Sequence, residues 1–163
     1  MANDSAIRRL PVYITIVVAL MLAIAPLSDA VRPFWPDWVL LSLIYWSLVL
    51  PRYFGVGLAW LVGLVVDVAQ GTLLGQHALT MSAVIFLVVR FQLQLRVFPL
   101  SQLTLTVVAL LGTHHFLLFW INGVAGINAP GVNYWGPVLT GTLAWPLVYW
   151  VINLINIRRS RTG

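Results

Sequence analysis

Six apolar runs follow one another through this chain, at 10–27, 36–51, 54–70, 73–90, 98–122 and 137–157. A helix needs about 20 mostly apolar residues, at ~1.5 Å rise each, to cross the ~30 Å hydrocarbon core of a bilayer. The runs approach or reach that length. The second is the shortest, and opening it at Pro36 lengthens it to roughly 24 Å. Proline suits a first helical turn because its missing N–H has no partner there anyway. Only 8% of the residues are charged and 61% are hydrophobic, against about 25% charge in soluble domains. A water-soluble fold of this composition would lack a compatible surface, and disorder requires low hydrophobicity. The expected class is an all-α integral membrane protein, a single transmembrane domain over 1–163 with six transmembrane helices. The longest connections, 28–37, 90–100 and 122–136, fall below the ~40 residues that an independent domain needs.

The charges test the count. All nine basic residues are arginine. With six spans and a cytoplasmic N-terminus, Arg8, Arg9, Arg52, Arg90, Arg96, Arg158, Arg159 and Arg161 fall inside, and only Arg32 falls outside. That is a positive-inside pattern, and it places both termini in the cytoplasm. Arginines at the edges of apolar runs read as topology signals, not as a nucleic-acid surface. The first run has the small-x-small pattern Ala23-Ile24-Ala25 of a signal-peptide cleavage site. Pro26 follows it and the run is long, so the segment is read as a retained helix. The chain has no cysteine, which excludes disulfides, thiolate catalysis and cysteine-ligated metals.

Few residues offer chemistry. Asp67 lies roughly 21 Å up the third run, and an ionisable group inside a span is costly enough to suggest a role. A structural or partner-contact role outweighs proton or substrate chemistry. His115, beside His114 in the fifth run, falls at nearly the same depth. Asp67 with His115 or His114 is therefore the expected buried polar pair, since a carboxylate and an imidazole lower each other's desolvation cost. His77 opens the fourth run. No spacing among these residues matches a metal site, so no metal and no cofactor are expected. No nucleophile–base signature occurs, and no catalytic residue is assigned.

Gly55, Ala59 and Gly63 recur every four residues and lead to Asp67, so they share a helix face. Small residues let helices approach closely in lipid. The stripe reads either as internal packing or as a partner-binding face. Ala19 and Ala23 form a weaker pair of the same kind. The glycines of Gly71-Thr72-Leu73-Leu74-Gly75 suit a tight turn or re-entrant backbone. Trp35, Trp38, Trp120, Tyr134 and Trp135 fall near the outer interface as an aromatic belt, whereas Trp46, Trp60, Trp145 and Trp150 read as packing or lipid contacts.

The stretch Pro36-Asp37-Trp38-Val39-Leu40-Leu41, then Tyr45-Trp46 and Pro51, resembles the second span of the rod shape-determining protein MreD family. Gly55, Gly57, Gly63, Asp67 and Gly71-Thr72-Leu73-Leu74-Gly75 resemble its third span and following turn. The close match covers about 32–79, and the family motif residues that carry over are Pro36, Asp37, Trp38, Gly63, Asp67, Gly71 and Gly75. The resemblance implies a bacterial inner-membrane, multi-pass, non-enzymatic scaffold of the cell-elongation machinery that builds peptidoglycan. It implies a fold similar to the substrate-binding subunits of energy-coupling-factor transporters. Its implied partner is MreC, bound directly by transmembrane helix packing. RodA, a class B penicillin-binding transpeptidase and MreB would join the same assembly, with membrane lipids around it and no nucleic acid. The alternative is a small-molecule-binding or transport subunit of the energy-coupling-factor type, with Asp67, His77, His114, His115 and Asn122 as its polar groups. An intramembrane enzyme has the weakest support.

Overall fold

A computed structural model describes residues 2–127 and 131–160; Arg161, one of the arginines expected inside, lies outside them. Every regular element among the described residues is helical. The helices are α1 (Ala2–Ile24), α2 (Trp38–Val49), α3 (Val56–Gln70), α4 (Gln76–Arg90), the single turn α5 (Gln92–Leu95), α6 (Leu100–Val124) and α7 (Gly136–Ser160). Short 3-10 turns, Arg32–Phe34 and Val132–Trp135, precede α2 and α7. Each of the six long helices overlaps one of the six apolar runs. Two stretches, Leu100–Val124 and Asn133–Ile155, are long and apolar enough on their own to cross a membrane. Pro11–Ile24, Val56–Gln70 and Gln76–Arg90 are shorter apolar helices.

Boundaries shift for local reasons. α1 stops at Ile24, two residues before Pro26, because the residue preceding a proline is pushed out of the helical region. Pro36 is not in the first turn of α2, contrary to the expectation above. Asp37 takes the N-cap position, and its Oδ1 accepts the Leu40 N–H at 3.1 Å, so the helix begins only at Trp38. α7 runs unbroken through Pro146.

α2 is the centre of the bundle. It is apolar all round, which suits a core helix or a membrane span, and Val39 through Leu48 are all buried. It packs against α1, α4 and α7. Trp46 donates its Nε1–H to Thr15 Oγ1 of α1 at 2.8 Å, and Tyr45 meets Tyr149 of α7 edge-on at 5.6 Å. With 12 residues, α2 is only about 18 Å long. Its terminal backbone groups therefore end deep in the bundle and need partners. Asp37 serves the N-terminus. At the other end Arg96 donates Nε–H to Leu48 O at 2.6 Å and Nη2–H to Val49 O at 3.1 Å. A cation on the last carbonyls also complements the helix dipole, so Arg96 does more than mark topology.

The outside of the bundle is apolar. Ile14, Val17, Val18 and Met21 are exposed on α1, and Leu139, Leu143, Leu147 and Trp150 are exposed on α7 at helical spacing. Trp60 is likewise exposed, whereas Trp46 and Trp145 are fully buried core residues.

Candidate functional site

Two carboxylate–histidine pairs sit near one end of the bundle, where α1, α3 and α6 end and α2, α4 and α7 begin. Neither is the expected pair. Asp67 pairs with His77: Oδ1 lies 2.8 Å from the ring Nδ1. His114 pairs with Asp37: Nε2 lies 3.2 Å from Oδ2. His115 pairs with neither carboxylate. Its Nδ1 lies 3.1 Å from Leu111 O, and its own carbonyl accepts the Tyr134 hydroxyl at 3.0 Å. Which helix each side chain faces is a matter of tertiary packing.

Asp67 is completely buried and completely used. Oδ1 accepts from Thr72 Oγ1 at 3.0 Å and from the His77 N–H at 3.0 Å. Oδ2 accepts from the Gly75 N–H at 2.8 Å and the Ala78 N–H at 3.4 Å. These are the first N–H groups of α4, which no intrahelical acceptor can reach. Asp67 thus caps α4 from the preceding helix, placing negative charge at a positive helix end.

The turn between α3 and α4 makes this reach possible. Gly71 takes the left-handed conformation at φ +63°. Its N–H goes to Val68 O at 3.4 Å and the Thr72 N–H goes to Asp67 O at 3.0 Å. That is the Schellman pattern, which closes a helix C-terminus and favours glycine because other residues strain at positive φ. One turn before Asp67, Gly63 lies against the α4 backbone. A Cβ there would collide with Ala78 Cα, would lie 2.5 Å from Ala78 N and would lie 2.8 Å from the His77 carbonyl carbon. Ala59 is buried as well, and Gly55, the residue before α3, has open space around it. Gly63 therefore belongs to the internal α3–α4 contact, whereas Gly55 stands outside it. Ala19 is buried in the core, and Ala23 is half-buried against it.

Asp37, His77, His114 and His115 line a cavity of about 330 Å³ together with Trp35, Trp38 and Arg32. Asp67 and Asn122 do not line it. The family-motif residues thus divide: Asp67, Gly63 and Gly71 build the α3–α4 hairpin, while Asp37 and Trp38 face the cavity. Thr72 and the Asp37–His114 contact were not singled out from sequence. An aspartate directly before an apolar run is a helix-start signal and would have marked Asp37 as a cap. No cluster able to hold a metal ion occurs among the described residues.

The family model for the rod shape-determining protein MreD matches residues 4–158. The chain belongs to the MreD family. It is 29% identical over 143 residues to the rod shape-determining protein MreD of Haemophilus influenzae, a match that covers 86% of each chain. No solved structure matches it significantly. Membership assigns the chain a role in determining rod shape.

Proposed function

We propose that this chain is a non-enzymatic, multi-pass inner-membrane scaffold of the bacterial cell-elongation machinery, and that it binds MreC through transmembrane helix packing. In this reading all six long helices cross the membrane with both termini in the cytoplasm, in an arrangement similar to the substrate-binding subunits of energy-coupling-factor transporters. The observation that carries the reading is the family match across 4–158. The buried polar groups are consistent with it, because Asp67 is fully engaged in holding two helices together. The continuous apolar exterior suits lipid and partner helices. With Gly63 packed against α4, the α1 face of Ile14, Val17, Val18 and Met21 is the surface assigned to MreC, and MreC would link the chain to RodA, the class B transpeptidase and MreB.

The absence of cysteine allows a clean test. Single cysteines at Val17 or Val18, and at Leu143 for comparison, are oxidised against a cysteine in the MreC span. Disulfides from the α1 positions are expected. Disulfides only from Leu143 would move the interface to α7. A mild-detergent pull-down that recovers the folded chain without MreC or the elongation synthases would overturn the scaffold reading itself.

A further inference from the structure

The connection between α4 and α6 lies at the end of the bundle opposite the cavity, and it exposes apolar side chains. Five of the eight residues at 91–98 are apolar. Of these Leu95 is buried, Phe91 and Phe98 are exposed, Leu93 is 75% exposed and Val97 is 83% exposed. The segment is nevertheless firmly built. The N–H groups of Gln94, Leu95, Arg96, Val97 and Phe98 all bond to carbonyls within the segment itself. Leu95 seats it in the core, and Arg96 ties it to the last carbonyls of α2. It is far too short to cross a bilayer, which takes about 20 residues. A short elbow with its backbone satisfied from within and apolar side chains turned outward suits the boundary between headgroups and acyl chains.

Charge on this face selects the lipid. Arg90 is the last residue of α4, directly before the elbow. Arg52 lies in the tight turn after α2, where the Tyr53 and Phe54 N–H groups bond to Leu50 O. It is three residues beyond Val49, whose carbonyl Arg96 holds. Arg52 and Arg90 are exposed, and among the described residues neither side chain has a hydrogen-bond or ion-pair partner. No acidic residue occurs at 50–55 or 90–99; Asp29, Asp37 and Asp67 lie toward the opposite end, and Asp4 is near the chain start. A guanidinium pairs with phosphate oxygens through two parallel hydrogen bonds, and basic residues beside a membrane draw anionic lipid to them. We infer that the 91–98 elbow rests in the headgroup layer and gathers anionic phospholipid, with Arg52 and Arg90 on the phosphate oxygens and Leu93 and Val97 among the upper acyl chains. The inference rests on the six-span topology proposed above and adds a lipid site to it.

The cysteine-free chain allows a site-specific test. A bimane fluorophore is placed on Leu93→Cys, on Val97→Cys or, for comparison, on Leu143→Cys, at an exposed position within α7. Each labelled chain enters nanodiscs of phosphatidylcholine and phosphatidylglycerol in which one lipid or the other carries brominated acyl chains. Both brominated lipids should quench the labels at Leu93 and Val97. Phosphatidylglycerol should be enriched there by about fivefold, the factor that one basic residue near the surface contributes. Arg52→Gln combined with Arg90→Gln should bring the enrichment to about twofold or less. At Leu143 the two lipids should quench alike. Labels at Leu93 and Val97 that stay unquenched while Leu143 is quenched would overturn the inference and leave the six-span reading standing. Equal quenching by the two lipids at Leu93 and Val97, or an enrichment unchanged in the double variant, would overturn it as well. An unquenched label at Leu143 would overturn the six-span topology, and this inference with it.

Discussion

Gly63→Ala should destabilise the fold, although alanine is the better helix former. The methyl group would point at backbone atoms of α4, with Ala78 N at 2.5 Å and the His77 carbonyl carbon at 2.8 Å. Ordinary contacts between such atoms are about 3.5–4.0 Å, so α4 must retreat by roughly 1 Å. Backbone cannot swing aside as a flexible side chain would. One turn away, the 2.8 Å bonds from Asp67 to the Gly75 N–H and the His77 ring would stretch beyond hydrogen-bond range. Overpacking of this kind costs ~1–3 kcal/mol, and each lost bond to a charged group costs about 1.5–3 kcal/mol. Helix propensity returns about 1 kcal/mol. Partial relaxation leaves a net loss of roughly 2–4 kcal/mol. Gly112, mid-way along α6, has nothing within 4 Å of an added Cβ, so Gly112→Ala should be neutral or stabilising by up to ~1 kcal/mol. Reversible unfolding in mixed micelles, titrated with SDS and read by circular dichroism, measures both. If Gly63→Ala were as stable as the parent, the α3–α4 approach would not be as close as described, and the account of Asp67 as a cross-helix cap would fall with it.

Asp67→Asn keeps one acceptor oxygen but turns an NH2 group toward backbone donors of α4. A loss of about 1.5–3 kcal/mol is expected, with Asp67→Leu more severe; equal midpoints for the two variants in the same SDS titration would show that charge, not hydrogen bonding, is what the site requires. Arg96→Gln removes the fork on Leu48 O and Val49 O and should cost ~1 kcal/mol. Arg96→Lys should recover only part of it, because an ammonium lacks the planar fork; full recovery would reduce the role of Arg96 to charge alone.

The sequence by itself determined the helices. Hydropathy is a local property, so each apolar run becomes a helix wherever the chain must satisfy its own backbone, and turn residues such as Gly71 mark the breaks. Depth along a helix also follows from counting residues, which is why Asp67, His77, His114 and His115 were all expected toward one end. Tertiary structure decided how those residues pair. The direction a side chain takes around a helix has meaning only once the neighbouring helices are placed, so nothing local distinguished His77 from His115 as the partner of Asp67. The same holds for the Gly55–Ala59–Gly63 stripe, whose spacing suits an external partner and an internal helix equally; the closeness of Ala78 settles Gly63 as internal. The short α2 shows both influences. Its all-round apolarity is written in its residues, but its burial depends on α1, α4 and α7 closing around it, and its ends are stable there because Asp37 and Arg96 reach them.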